Sequence, residues 1–438
     1  MSHKEKVLDI IKQLKNLKSQ NQPISFSKKT VSHFVPLAHT KKEKLPKINL
    51  KSLDSLIKID PQKNIGVAEP GLTFSELLKE SLKHNLIPAV VPELKTITLG
   101  GAISGCSIES MSYRYGGFHD SCLEYEIITS NGEIVTCSKE KNQDIFDMIH
   151  GSYGTLGIIS KIKFKLLPAK PFVHLTYKKY NNFKKFWSVL QKYCQEKQYD
   201  FIDGIIYNKN LFILCLGNMV DEAPYTSRYD WLKIFYKSVV KKEEDYFKIY
   251  DYFYRYDADC HWLSKKIPLM ETLFGRLFFG KFVLGSTNLI KLSKKFGPKI
   301  NKGKNPDVVV DVFIPHNNFP KFYDWYKTDF DFFPLWIVPY KAPKIYPWIS
   351  DDLASKNDDA FFIDAAIYGK ENNEKNINYA KILEDKVFEL NGIKTLISQN
   401  YYSKDRFWEI YNQENFNKVK QKTDPNNLFN GLYLKMVK

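Results

Sequence analysis

Three glycine-bearing stretches carry the chemistry that can be read first. Thr98-Leu99-Gly100-Gly101-Ala102-Ile103-Ser104-Gly105 is followed by Tyr115-Gly116 and then by Gly151-Ser152-Tyr153-Gly154-Thr155-Leu156-Gly157. Glycine has no Cβ, so its N–H can approach a diphosphate closely and its backbone can take positive φ without strain. Separated by short β-type runs, such stretches suit a flat, anionic dinucleotide. None has the G-x-G-x-x-G spacing of a Rossmann turn, and none runs into Lys-Ser/Thr as a P-loop does. Glu109, between Ser107 and Ser110, is the carboxylate to expect beside such a ligand; its plainer role is a structural cap. Arg255 lies within Tyr252-Phe253-Tyr254-Arg255-Tyr256. That strip reads equally as an aromatic wall with a cation for a polar group, or as core with one snorkelling arginine. No two histidines and a carboxylate stand at metal-ligand spacing, so no metal is expected.

The elements that must position these residues follow from the hydrophobic pattern. Val7, Ile10, Ile11, Leu14 and Leu17 recur at helical spacing and predict an amphipathic helix within residues 1–20. Packing on the body is its expected role, with a membrane surface as the alternative. Residues 21–49 read as an irregular Ser/Lys/Pro-rich connection. Asn64 to Glu69 reads as a strand, and Thr73 with Glu76 as a capping box. Glu124 to Thr129 and Glu133 to Ser138 alternate around Ser130-Asn131-Gly132, a hairpin signal, and Ile158 to Leu167 is a strand closed by Pro168. After Pro171, strands at Phe172 to Tyr177, Ile205 to Tyr207, Leu211 to Gly217 and Val308 to Ile314 alternate with amphipathic helices. Those helices lie near Phe183 to Cys194, Phe319 to Lys327 and Tyr379 to Leu390. The expectation is α+β, with a binding unit over 21–170 and a cap over 171–438.

The order of the signals is more specific than any one of them. Val91-Pro92-Glu93-Leu94 precedes Thr-x-Gly-Gly; Gly105, Ile108-Glu109-Ser110, Tyr115-Gly116, Asp120, the Asn-Gly hairpin and Gly154-Thr155-Leu156-Gly157-Ile158 follow. This series resembles the FAD-binding domain of the vanillyl-alcohol-oxidase, or p-cresol methylhydroxylase-type, superfamily. Tyr254-Arg255, His261-Trp262, Pro334-Leu335-Trp336, Phe362-Ile363-Asp364 and Phe407-Trp408-Glu409 resemble its Δ24-sterol reductase branch.

The resemblance implies an FAD-binding domain of two α+β subdomains, covered by an α+β cap with an antiparallel sheet. The C-terminal segment is expected to return toward the flavin. Implied cofactor contacts are Pro92, Glu93, Thr98, Leu99, Gly100 and Gly101, then Ser104, Gly105, Ser107 and Ser110. Tyr115, Gly116, Asp120, Gly154, Thr155, Gly157 and Ile158 complete them. FAD is expected to be noncovalent, although His33 lies where some members attach it. The diphosphate loop departs from the family, reading Ser27-Lys28-Lys29-Thr30-Val31-Ser32-His33 in place of Gly or Arg-Pro.

The implied activity is NADPH-driven reduction of a carbon–carbon double bond in a sterol- or isoprenoid-like substrate. Glu109, Tyr401 and Arg255 are its catalytic candidates, and Tyr254 and Trp336 its substrate-side residues. The alternatives are an FAD-dependent oxidase or dehydrogenase of an alcohol or hydroxy acid, and a non-catalytic, membrane-peripheral lipid-binding protein.

Composition narrows the rest. With 438 residues, 43% hydrophobic and 26% charged, the chain can build more than one core. Its net charge of +16 comes from lysines that read as scattered and solvated, and no nucleic-acid-binding signature is present. Six cysteines without a C-x-x-C pair suit reduced thiols in the cytoplasm. No signal peptide is expected, and no run reaches the roughly 18 apolar residues of a membrane span. Membrane contact is expected to be peripheral at most.

Overall fold

The computed structural model describes residues 1–18, 22–30, 45–300, 305–374, 376–398 and 400–437. Helix α1 (His3–Lys18) turns Val7, Ile10 and Leu14 inward, as their spacing requires. They pack with Ile24, Ile48, Leu428 and Phe429, so the helix lies on the body and meets the end of the chain. The connection read as irregular contains a short parallel pair, β1 (Ser25–Ser27) with β2 (Lys47–Asn49). Strands of three residues are too short for periodicity to reveal. His33 lies outside the described residues, as does the diphosphate loop beyond Thr30.

The first large sheet has six strands: β3 (Leu56–Asp60), β4 (Ile65–Ala68), β5 (Leu86–Pro88), β6 (Cys122–Ile128), β7 (Ile134–Ser138) and β8 (Ile158–Pro168). Its order is β3-β4-β8-β6-β7, with β5 joining the far end of β8, and every pairing is antiparallel. The β6–β7 turn needs Gly132, at φ +80°. Thr73 and Glu76 form the expected capping box of α2 (Phe74–Ser81), which buries Phe74, Leu77 and Leu78. Thr98 caps α3 (Leu99–Gly105), its hydroxyl accepting the Gly101 N–H at 3.3 Å.

The second sheet is eight-stranded and wholly antiparallel. It comprises β9 (Phe172–Tyr180), β10 (Phe201–Asn208), β11 (Leu211–Val220), β12 (Glu244–Lys248), β13 (Val308–Pro315), β14 (Leu335–Lys341), β15 (Phe361–Lys370) and β16 (Ile393–Lys394). The order is β12-β9-β11-β10-β14-β15-β13-β16. The change of sheet, from Pro168 to Phe172, falls where the sequence changes character.

Strands β14 and β15 were not among the expected strands. The fold tolerates Pro339 because β10 pairs only with Leu335, Trp336 and Ile337. Beyond Ile337 that side of β14 has no neighbour requiring an N–H.

Alternation splits the cap sheet into two faces. Val310, Val312, Ile314, Ile337, Ile363 and Ile367 pack under helices Phe183–Glu196, Phe319–Trp325 and Tyr379–Glu389. The intervening residues, including Asp203, Asp311, Phe313, Trp336, Phe362, Asp364 and Tyr368, face the first unit. The chain then returns to that unit, as expected. Lys420 Nζ donates to the Thr155 carbonyl at 2.8 Å, and Lys435 Nζ to that of Tyr153 at 2.6 Å.

Candidate cofactor and substrate site

Gly101 and Gly105 lie one turn apart on α3. A Cβ at Gly101 would meet only Thr98 Oγ1 at 3.2 Å, and one at Gly105 only Tyr153 at 3.8 Å, so their bare surfaces face open space. Ser104, Cys106 and Ser107, all half-buried, continue this strip. Gly154, at φ +74°, belongs to the facing loop, where a Cβ would strike Phe26 at 2.9 Å. From Gly105, Cys106, Gly151 and Tyr153 a cleft of about 680 Å³, counting its open mouth, extends to the cap. Phe313, Tyr340 and Phe362 from the sheet, with Tyr346, Trp348 and Tyr411, give it flat aromatic walls. An FAD fits these residues: bare glycine and serine hydroxyls for the diphosphate side, an aromatic slot for the ring system.

The other residues implied by resemblance shape the loops around this strip. A Cβ at Gly100 would meet Pro70 at 2.7 Å, so Gly100 serves close packing. Leu99 and Pro92 are buried, and Tyr115 packs on the core. Gly116, at φ +75°, lies against Asp120, whose Oδ2 accepts the Gly117 N–H at 2.7 Å. Asp120 Oδ1 accepts the hydroxyl of Tyr346, which fixes one wall of the cleft. Thr155 Oγ1 donates to the Ser152 carbonyl at 2.7 Å, and Gly157 at φ +136° leads into Ile158 and β8.

Glu109 and Arg255 do meet, but both are buried and neither lines the cleft. Arg255 Nη2 stands 3.0 Å from Glu109 Oε1 and 3.3 Å from Asp203 Oδ1, at angles too oblique for hydrogen bonds. Glu109 Oε2 accepts from the N–H and hydroxyl of Ser110, whose hydroxyl also lies 3.1 Å from that of Tyr252. Burial pushes the Glu109 carboxyl upward against the pull of Arg255, with Asp203 adding to the rise; Asp203 is raised by burial too. One guanidinium facing two carboxyls in a dry site favours a shared proton. The trio ties the segment that follows α3 to the cap sheet.

A second polar cluster lies on the same sheet face. His261 Nε2 stands 3.3 Å from Glu93 Oε1, its ring stacked on Tyr256 and near Trp336 and Tyr368. His261 has φ +66°, the left-handed region, and burial lowers its pKa so that it is neutral. Tyr368 donates to Asp311, and Asp364 Oδ1 is buried without a hydrogen-bond partner. Burial raises the Asp311 carboxyl to about 7, opposed by the Tyr368 hydrogen bond and reinforced by Glu93. Burial, with Asp311 and Glu93 nearby, holds Asp364 well above the carboxylate range. Asp311 touches the cleft through its own strand, two residues from Phe313, and through Thr395, whose hydroxyl accepts the Asp311 N–H at 3.2 Å.

Tyr401 is not brought to this cluster. Its N–H donates to Glu384 at 2.9 Å, on the helix that covers the other face of the sheet. Tyr254 packs beside Tyr250 under Lys95, away from the cleft. Trp336 is on the inner face, donating to Asp203 at 2.7 Å, but it is enclosed and does not line the cleft. Sequence reasoning missed Asp311, Tyr368, Phe313, Tyr340 and Phe362. Period-2 alternation through β13 and β15 was the available signal.

A glycine strip on one unit, closed by an antiparallel cap that supplies an aromatic slot, defines a flavoprotein with an FAD-binding domain and a cap domain. Residues 5–138 match the model of the FAD binding domain family. Over those residues the chain is similar to the FAD-binding domains of the p-cresol methylhydroxylase-type superfamily. Along its whole length it is 26% identical to the Δ24-sterol reductase of Homo sapiens, covering 86% of that protein. It is 26% identical to the Δ24-sterol reductase of Pisum sativum over 73% of this chain and 63% of that one. Cytokinin dehydrogenase 4 of Oryza sativa subsp. japonica is 33% identical over 32% of this chain and 26% of its own.

Proposed function

We propose that this flavoprotein reduces a carbon–carbon double bond of an apolar, sterol- or isoprenoid-like substrate, with NADPH as electron donor and noncovalent FAD. The observation that carries the reading is the aromatic cleft along the cap sheet, whose residues Phe313 and Thr395 adjoin Asp311, a buried carboxyl that burial raises to about 7. The likeness to Δ24-sterol reductases over the whole chain supports the substrate class. An FAD held along the Gly101–Gly105 strip, once reduced by NADPH, would supply hydride to one alkene carbon. The second carbon needs a proton, and Asp311 with Tyr368 holds one at the cleft's edge. Glu93 keeps it there, because a further negative charge disfavours ionisation of Asp311. Phe313, Tyr340 and Phe362 exclude water and align a flat apolar body. Since such a substrate dissolves in lipid, the reading extends to peripheral work at a membrane.

The purified protein is expected to be yellow, to release its flavin on denaturation, and to bleach when NADPH is added without oxygen. A Δ24-unsaturated sterol should then restore the colour anaerobically. Restoration by oxygen alone, with bleaching by an alcohol instead of NADPH, would convert the reading to an oxidase.

A further inference from the structure

The cap carries an apolar platform that no described part of the fold covers. Leu273, Phe274, Leu277, Phe278, Phe279 and Phe282 are all more than half exposed, Phe282 to 76%. Among the described residues, every phenylalanine that is largely exposed lies here. Three short helical turns, Leu273–Gly275, Arg276–Gly280 and Lys281–Val283, present them.

The platform is built rather than frayed. Its arginine, Arg276, points inward and is 1% exposed. It pairs with Asp259, and its Nε–H donates to the Met270 carbonyl at 2.7 Å. Gly280 packs on Trp231, where a Cβ would lie 3.1 Å from the carbonyl oxygen. The usual order is thus inverted, with the cation inside and the phenylalanines outside. A contiguous apolar patch of this kind marks an interaction surface.

Charge selects the occupant. From His261 to Pro306 the sequence holds nine lysines and Arg276 against one acid, Glu271. Lys281 stands exposed among the phenylalanines, and Lys291 is exposed on the following helix, Ser286–Ile300. A second copy of the chain would bring like charge to the same patch, which opposes pairing. An anionic bilayer offers an apolar interior to the rings and phosphates to the lysines. We propose that this platform docks the protein on an anionic lipid bilayer. Helix α1 does not compete for the role, because its apolar stripe is buried.

The root of the platform leads to the site. Asp257 Oδ1 accepts the Lys95 N–H at 2.8 Å and the Ser286 hydroxyl at 2.6 Å, and Leu94 packs beside Met270 and Leu284. Leu94 and Lys95 directly follow Glu93. That the docked side delivers the substrate rests on the function proposed above; docking itself does not.

Sedimentation of the full chain with vesicles of phosphatidylcholine, with or without phosphatidylserine, tests the proposal. Wild type should pellet with the serine-containing vesicles and be partly released by salt. Phe278→Ser combined with Phe282→Ser should weaken partitioning by roughly tenfold or more. Lys281→Glu combined with Lys291→Glu should weaken it by about tenfold and reduce the salt dependence. Leu8→Ser, at a 53% exposed position of α1, should change nothing. Equal pelleting of wild type and the platform variants would overturn docking. So would a wild-type dimer that Phe282→Ser splits in ultracentrifugation, which would assign the patch to a second copy. Flavin content and turnover of detergent-dispersed substrate are read on the same samples. Lost pelleting with normal turnover upholds the docking role. Normal pelleting by a wild type that turns over no alkene refutes the proposed function and still upholds docking.

Discussion

The two faces of the cap sheet are built by the same strands, one residue apart, and their chemistry is opposite. The outer face is aliphatic and sealed by helices; Val312, Ile337 and Ile363 have no exposure at all. The inner face holds Asp203, Asp311 and Asp364, with Glu93 and Glu109 reaching in from the first unit. A single guanidinium, Arg255, and a neutral His261 stand against them. Burying carboxyls is costly unless they are paired or protonated, and a hydrophobic face of the same shape would be more stable. The difference teaches where the molecule gives up stability: on the face that looks at the cleft, where protons can be stored.

The largest expected effect comes from removing the stored proton. Asp311→Asn should lower turnover by about 10²–10³-fold while leaving flavin content and melting temperature equal or slightly improved. An amide cannot ionise, so it escapes the cost that raises the carboxyl. In the wild type the carboxyl must be protonated to act and its pKa lies near 7. Turnover should therefore be maximal below that pH and fall about tenfold per unit well above it; the Asn variant should lack this limb. Rapid-mixing reoxidation rates across pH give the answer. A melting-temperature loss with normal rates would make the inner face structural and erase the contrast.

Arg255→Met comes next. It leaves Glu109 and Asp203 buried without their cation, and should cost about 3–5 kcal/mol in urea unfolding. Both carboxyls are raised in the fold, so unfolding should become easier as pH rises and the variant should recover toward acid pH. A pH-independent loss would point to packing alone.

What could be read from sequence was local. The stripe of α1, the Thr73–Glu76 box, the Asn-Gly hairpin and the run into Pro168 each lie within a dozen residues. The glycine strip was also legible, although Gly100 and Gly101 look alike in sequence and differ in the fold, one packed on Pro70 and one open. The proton site was not legible, because Tyr368 and Asp311 are 57 residues apart and meet only through the β13–β15 pairing. The cleft's aromatic strand residues come from β13, β14 and β15, and only the first of these strands was read from the sequence. The lysines read as scattered because the average over the chain conceals the stretch from His261 to Pro306. Helical spacing, likewise, shows that a segment has an apolar face, not whether anything covers it.

The smallest effect tests the outer face. Ile363→Val removes one methylene where β15 packs with Val312, Ile337 and Leu383 under the helices. The neighbours close only part of the space, so a loss of about 0.5–1.5 kcal/mol is expected. Asp364, the next residue, points the opposite way, so the same strand carries a packing position and a buried inner-face acid side by side. If the faces are independent, turnover per folded molecule and its pH limb should match wild type, and only the melting temperature should fall. If the pH limb moves as well, packing on the outer face sets the ionisation of the inner one. The strand would then have to be treated as a coupled element rather than as two surfaces.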